Sequence, residues 1–358
     1  MSNQIRRIAS LDGLRAIAIL LVLVFHASES DGFPHWMALP SPYGGFGVRI
    51  FFVISGYLIT TLLLREEEKT GTISLKSFYI RRSYRIFPAA YVFILAVALF
   101  GHHLARLKDF LVAIFYVQNY SSHAPIFWHL WSLSIEEQFY LIWPLLFLLF
   151  PRRRTGILIA GIAISPIFRG LAYVLHYPSM LQWFPSMEDA LATGCLLAVL
   201  GTRLDPFRKW IDRLIIPIVV LTVVMLALPY PHGFQPLVLF TLLNVGITLS
   251  VDHFIRHPYR LLNNPPIEWI GRLSYSLYLW QEPFLFVRSL HGWWTRFPAN
   301  FAMAFLFACA SYYLVEKPVL AFRDRRMKAR RLQSASQPGN EQAAEQAYGG
   351  KVLEDAAK

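Results

Sequence analysis

Arg15 and His26 occupy one apolar run, residues 7–28, in which a bilayer-crossing helix must account for every ionisable side chain. They are eleven residues apart. At about 100° per residue this is roughly 20° past three full turns, which places both on one helix face about 16 Å apart along the axis. An imidazole in that position can accept a proton, and a guanidinium can hold an anion. The structural alternative is that Arg15 snorkels to the headgroups and His26 rests at the interface.

Two further clusters carry chemistry. "SFYIRRSYRIFP" at 77–88 packs Arg81, Arg82 and Arg85 immediately before an apolar run. Arg82 and Arg85 share a face if helical, and guanidinium forks suit phosphate; the alternative is a plain positive anchor on the inner side of the membrane. "HLWSLSIEEQFYLIWP" at 129–144 spaces Ser132, Glu136 and Tyr140 by four. A carboxylate in the outer half of a crossing needs a partner. We expect Glu136 to pair with His26, raising the basicity of the imidazole and fixing its tautomer; Glu137 reads as a water-facing neighbour.

The elements that must position these groups are membrane helices. The chain of 358 residues is 55% hydrophobic, 16% charged and 15% aromatic, with ten Trp and a mean hydropathy of +0.42. Apolar runs long enough to span recur along it, at about 11–28, 46–64, 86–104, 131–150, 156–174, 187–203, 214–230, 236–254, 273–289 and 299–316. This predicts an all-α integral membrane protein of about ten transmembrane helices. Residues 110–127 are apolar but short and interrupted by Gln118, Asn119 and His123, so they read as re-entrant or interfacial. The first run lacks a small-residue cleavage site and reads as a retained helix, not a signal peptide.

With both termini cytoplasmic, the inner segments hold 25 Lys and Arg against four outside. The net charge of +12 therefore follows the positive-inside pattern, and nucleic acid is not the expected partner. Cys195 and Cys309 sit in apolar segments without metal-type spacing and read as packing residues; no metal is expected. We divide the chain into a membrane-embedded domain, 1–325, and a basic then polar cytoplasmic tail, 326–358, expected to be disordered.

In chain order, "LDGLRAIAILLVLVFH", "GVRIFFVISGYLIT", "FYIRRSYRIFP", "WSLSIEEQFYLIWP" and "GRLSYSLYLWQEP" resemble the motifs of membrane acyltransferase family 3 over about residues 8–325. The resemblance implies O-acyl transfer from a cytoplasmic acyl-CoA, with acetyl the expected group, to a hydroxyl, commonly on a cell-surface or exported glycan at a bacterial-type inner membrane. It carries the family's Arg and His to Arg15 and His26, its Arg pair to Arg82 and Arg85, its Glu to Glu136, and its Ser and Tyr to Ser276 and Tyr278. One position departs: Gln281 stands where many relatives have His, and an amide cannot shuttle protons. Many relatives also carry a hydrolase-like domain after the last crossing, and the final transfer is expected in the membrane domain or on another protein.

On this reading Arg15, Arg82 and Arg85 hold the CoA phosphates at the cytoplasmic mouth. His26 serves as base or transient acyl carrier, oriented by Glu136. The main rival is a polytopic glycan or lipid transporter, for which internal repeats and paired broken helices would speak. A binding scaffold, the third class, has no need of His and Glu at matched depth.

Overall fold

A computed structural model describes residues 9–28, 30–38, 44–121, 124–227, 235–287, 290 and 292–335. Every regular element among the described residues is helical. In chain order these are α1 (Ala9–Ala27), α2 (Gly44–Thr70), α3 (Leu75–Phe100), α4 (Leu107–Ile114), α5 (Leu130–Leu149), α6 (Arg154–Val174), α7 (Phe184–Leu200), α8 (Asp205–Ala227), α9 (Phe240–Arg256), α10 (Pro265–Trp280), α11 (Glu282–Leu285), α12 (Ala299–Ser311) and α13 (Lys317–Ala335). Among the described residues six helical stretches are long and apolar enough to cross a membrane: Ser10–Ala27, Gly44–Thr70, Leu75–Phe100, Arg154–Val174, Leu237–Arg256 and Ala299–Ala329.

Apolar helices in lipid associate by close packing and not by expulsion from water. α2 and α7 show how. A Cβ added at Gly56 would stand 2.0 Å from the Leu191 carbonyl oxygen, and one at Gly194 would stand 2.0 Å from that of Val53. Only glycine lets the two backbones meet there, and the α2–α7 contact joins α1, α3, α5 and α10 on one side to α6 and α9 on the other. That second group encloses a fully buried ion pair. Arg169 reaches Asp189 Oδ2 from two nitrogens at 2.9 Å, and Thr241 donates to the same oxygen at 2.8 Å.

The segment expected not to span is α4, an eight-residue helix, followed by tight turns at Gln118–Tyr120 and Pro125–Phe127. Eight residues rise only about 12 Å against a hydrocarbon core of about 30 Å. Its irregular backbone is satisfied by α5: Ser134 Oγ accepts from the Gln118 N–H at 3.2 Å, and Gln138 Nε2 donates to the Tyr116 carbonyl at 2.9 Å. At the other end of the chain, α12 passes through a π-helical turn, Tyr312–Glu316, into α13, which continues to Ala335. Helix therefore extends ten residues past the boundary read at 325; residues 336–358 lie outside the described residues.

α8 and α9 are tied at their charged ends. Arg256 donates to both oxygens of Asp212 at 2.7 and 2.8 Å, and His253 Nδ1 and His257 Nε2 lie 2.7 and 3.2 Å from the same carboxylate. One ligand atom from each of Asp212, His253 and His257 falls within 4.8 Å of the others, but Arg256 already saturates the carboxylate, so the group is an ion-pair network. The Arg256 hydrogen bonds, supported by those of His253 and His257, hold the Asp212 carboxyl well below the usual carboxylate range despite partial desolvation. A depressed folded value means that the stabilisation is complete above the unfolded value, about 3.9. It is lost only as pH falls through the folded one. Asp212→Asn should therefore lower Tm at neutral pH, and the difference from wild type should close in strong acid. A Tm difference independent of pH would contradict this.

Candidate active site

α3 carries the arginine cluster. Its first turn is capped by Ser74, whose Oγ accepts from the Ser77 N–H at 3.2 Å. Helical spacing then turns Arg81 away, to Glu66 at 2.6 Å, and puts Arg82 and Arg85 on a common face. Arg82 donates to Glu136 Oε1 at 3.3 Å, with its guanidinium 3.6 Å over the Tyr140 ring. Arg85 pairs with Glu316 at 3.1 Å, and Ser276 Oγ donates to the other oxygen of Glu316 at 3.1 Å. The π-helical turn positions Glu316, which is 2% exposed, for this contact.

Arg15, Arg82 and Arg85 line one partly open cavity of about 80 Å³, together with Ser55, Ser132, Glu136 and Tyr278 and an apolar flank from Phe51 and Phe52. Among the described residues Arg15 has no hydrogen-bond or ion-pair partner. The lining holds three guanidinium groups and one carboxylate, Glu136, with Glu316 paired to Arg85 and Asp12 within electrostatic reach of Arg15, and arginine forks at such a wall suit an anionic ligand.

A second centre lies beyond the Ser132–Tyr278 wall. Tyr278 donates its phenolic proton to the His129 carbonyl, so Ser132 Oγ donates to the Tyr278 oxygen, at 2.6 Å. His129 stands at the start of α5, and its ring lies 5.4 Å from both Tyr278 and Phe93. Glu282, in α11 just after the turn at Gln281, has one oxygen 3.7 Å from His129 Nδ1 and 3.7 Å from His26 Nδ1. His26 Nδ1 is 3.0 Å from Gln281 Oε1. An amide oxygen only accepts, so Nδ1 carries the proton and Nε2 is left with the lone pair a base needs.

The structure gathers Arg15, Arg82 and Arg85 as one group, with Glu136 at its edge. It does not bring Glu136 to His26. Glu136 Oε1 is taken by Arg82 and Tyr140. The reason is depth: α5 begins at Leu130, so Glu136 lies about 10 Å further along the axis than His129, which neighbours the His26 centre. The carboxylate near His26 is Glu282. Ser276 serves Glu316, whereas Tyr278 belongs to the wall between the two centres. Sequence reasoning missed His129, Glu282 and Glu316, although each is an ionisable residue in or beside an apolar run, the signal that marked His26.

Residues 8–315 match the acyltransferase domain family known as acyltransferase 3. A Staphylococcus aureus (strain COL) protein named for O-acetyl transfer is 34% identical over 91% of this chain and 59% of its own length. The peptidoglycan O-acetyltransferase OatA of Listeria monocytogenes is 31% identical over 87% of this chain and 56% of its own. The O-acetyltransferase OatA of Staphylococcus aureus (strain NCTC 8325) is 33% identical over 80% and 52%. The chain spans little more than half the length of these relatives. No solved structure matches it.

Proposed function

The chain belongs to the acyltransferase 3 family, and on that premise we propose that it is a multi-pass inner-membrane O-acyltransferase. It moves an acyl group, acetyl, from cytoplasmic acyl-CoA to a hydroxyl of a cell-surface or exported glycan. Peptidoglycan is the acceptor that one relative's name offers. Ten crossings with both termini cytoplasmic fit the helix positions and the loop charges. A single cysteine at Ser179 should react with an impermeant thiol reagent on intact cells, and one at Ser334 only after lysis. Labelling of Ser334 from outside would reverse the orientation.

Arg15, Arg82 and Arg85 grip the phosphates of CoA at the inner cavity, and Glu136 keeps Arg82 aimed by holding one of its nitrogens. Ser132 and Tyr278, hydrogen-bonded to each other at the edge of that cavity, form the wall that the acyl arm must pass to reach the His26 centre. There His26 Nε2 removes the proton of the acceptor hydroxyl as its oxygen attacks the acyl carbon. The carbon–sulfur bond breaks, and His26 returns the proton to the leaving thiolate. Gln281 fixes the reactive tautomer by accepting from Nδ1. The role of this amide is thus positional, which is compatible with its inability to carry a proton.

The observation that carries this reading is the Arg-lined cavity whose Ser132–Tyr278 wall holds His129, which shares the Glu282 carboxylate with His26. Purified protein in liposomes, given radiolabelled acetyl-CoA and hydroxyl-bearing glycans, should yield labelled glycan and free CoA in equal amounts. Glycan carried across the bilayer without label would instead establish the transporter reading.

A further inference from the structure

Glu282 and His129 are, with Gln281, fully buried polar groups near His26, each 3% exposed or less. Neither ring nitrogen of His129 and neither carboxylate oxygen of Glu282 has a hydrogen-bond partner. The backbone N–H of His129 faces the carboxylate. Four orphaned polar atoms in one buried spot would be a heavy cost for mere packing. They are also arranged: one oxygen of Glu282 is equidistant, at 3.7 Å, from the Nδ1 atoms of His26 and His129.

We propose that Glu282, held on its far side by His129, is the counter-charge and positioning group for His26 in acyl transfer. This rests on the reading of His26 as the base. When His26 Nε2 takes the acceptor's proton, the new positive charge needs compensation in a dry site. Gln281 can accept the Nδ1 proton but offers no charge. Glu282 supplies it without taking the proton, which stays on His26 until the thiolate leaves. His129, from the start of α5, fixes the carboxylate by donating from Nδ1 as the 3.7 Å gaps close, and Tyr278 anchors the His129 backbone. Phe286 lies against the His26 ring at 5.0 Å and Phe93 against the His129 ring at 5.4 Å, giving both imidazoles an apolar side.

The test compares Glu282→Gln, His129→Leu and His129→Asn with wild type in liposomes, using acetyl-CoA as donor and peptidoglycan fragments or a free glycan as acceptor. Glu282→Gln and His129→Leu should each lower kcat about 100-fold or more with KM for acetyl-CoA unchanged. His129→Asn keeps an N–H donor near the Nδ1 position and should recover at least a tenth of the wild-type rate. A purely structural role would move KM and Tm along with kcat and would not be rescued by Asn.

His26→Ala in the same assay separates the two levels. If His26→Ala is inactive while Glu282→Gln and His129→Leu turn over at the wild-type rate, this inference fails and the parent reading stands. If His26→Ala is fully active, the parent reading fails with it. Should a variant not fold, ¹⁵N-histidine spectra of the wild type decide. Acidification should shift the ring signals of His26 and His129 together, because both address one carboxylate; among the described residues Tyr278 is a further titratable group against the His129 ring. Independent titration of the two rings would overturn the proposal.

Discussion

Replacing His26 by alanine is expected to abolish acyl transfer while acyl-CoA binding is retained. The two functions are separated in space: the arginines line the inner cavity, whereas His26 belongs to the centre beyond Ser132 and Tyr278. Loss of a general base removes about 10²- to 10⁴-fold of rate. A base that also sets where the acceptor lies should cost at the upper end. The side chain is bounded by Phe25 and Phe286 and is 12% exposed, so its truncation leaves a small void at the edge of the bundle and the fold should survive. The check is transfer rate and acyl-CoA affinity on matched amounts of reconstituted protein. Transfer at the wild-type rate would reduce His26 to an interfacial histidine.

The second large effect concerns the donor. Arg82→Ala should weaken acyl-CoA binding by roughly 1.5–3 kcal/mol, about 10- to 150-fold in affinity. Its ion-pair partner, Glu136, is 17% exposed and tolerates the loss. Arg85 needs a different design. Its partner Glu316 has only 1% of its side chain exposed, and truncating Arg85 alone would strand a buried carboxylate. Arg85→Ala combined with Glu316→Gln removes both charges together and should give a similar loss of affinity. Calorimetric titration with acetyl-CoA measures it, and unchanged affinity in both proteins would return the cluster to a topology anchor.

Much of this site was legible in the chain because membrane helices obey strict rules. The Arg15–His26 spacing survives as a single helix, α1, and the Arg82–Arg85 spacing as a shared face of α3. The short polar-interrupted stretch after residue 107 does form a helix too short to span. Partner choice was not legible. Depth judged from a hydropathy window does not resolve the five residues between Leu130 and Glu136, and those residues decide whether the carboxylate meets Arg82 or His26. Glu282 carries no pattern of its own in the sequence: it follows directly on Gln281, and its place beside His26 depends on the chain turning at the end of α10. Glu316 depends on a π-helical turn, which an uninterrupted apolar pattern does not announce.

Sided reconstitution separates donor from acceptor. Protein reconstituted in a single orientation is given radiolabelled acetyl-CoA from one side of the membrane only, with the glycan acceptor present on the opposite side. Labelled glycan is expected when acetyl-CoA is supplied on the face bearing Arg82 and Arg85. None is expected when the donor is on the other face, and none from His26→Ala in either case. Equal labelling from both faces, or labelling by His26→Ala at the wild-type rate, would contradict this reading.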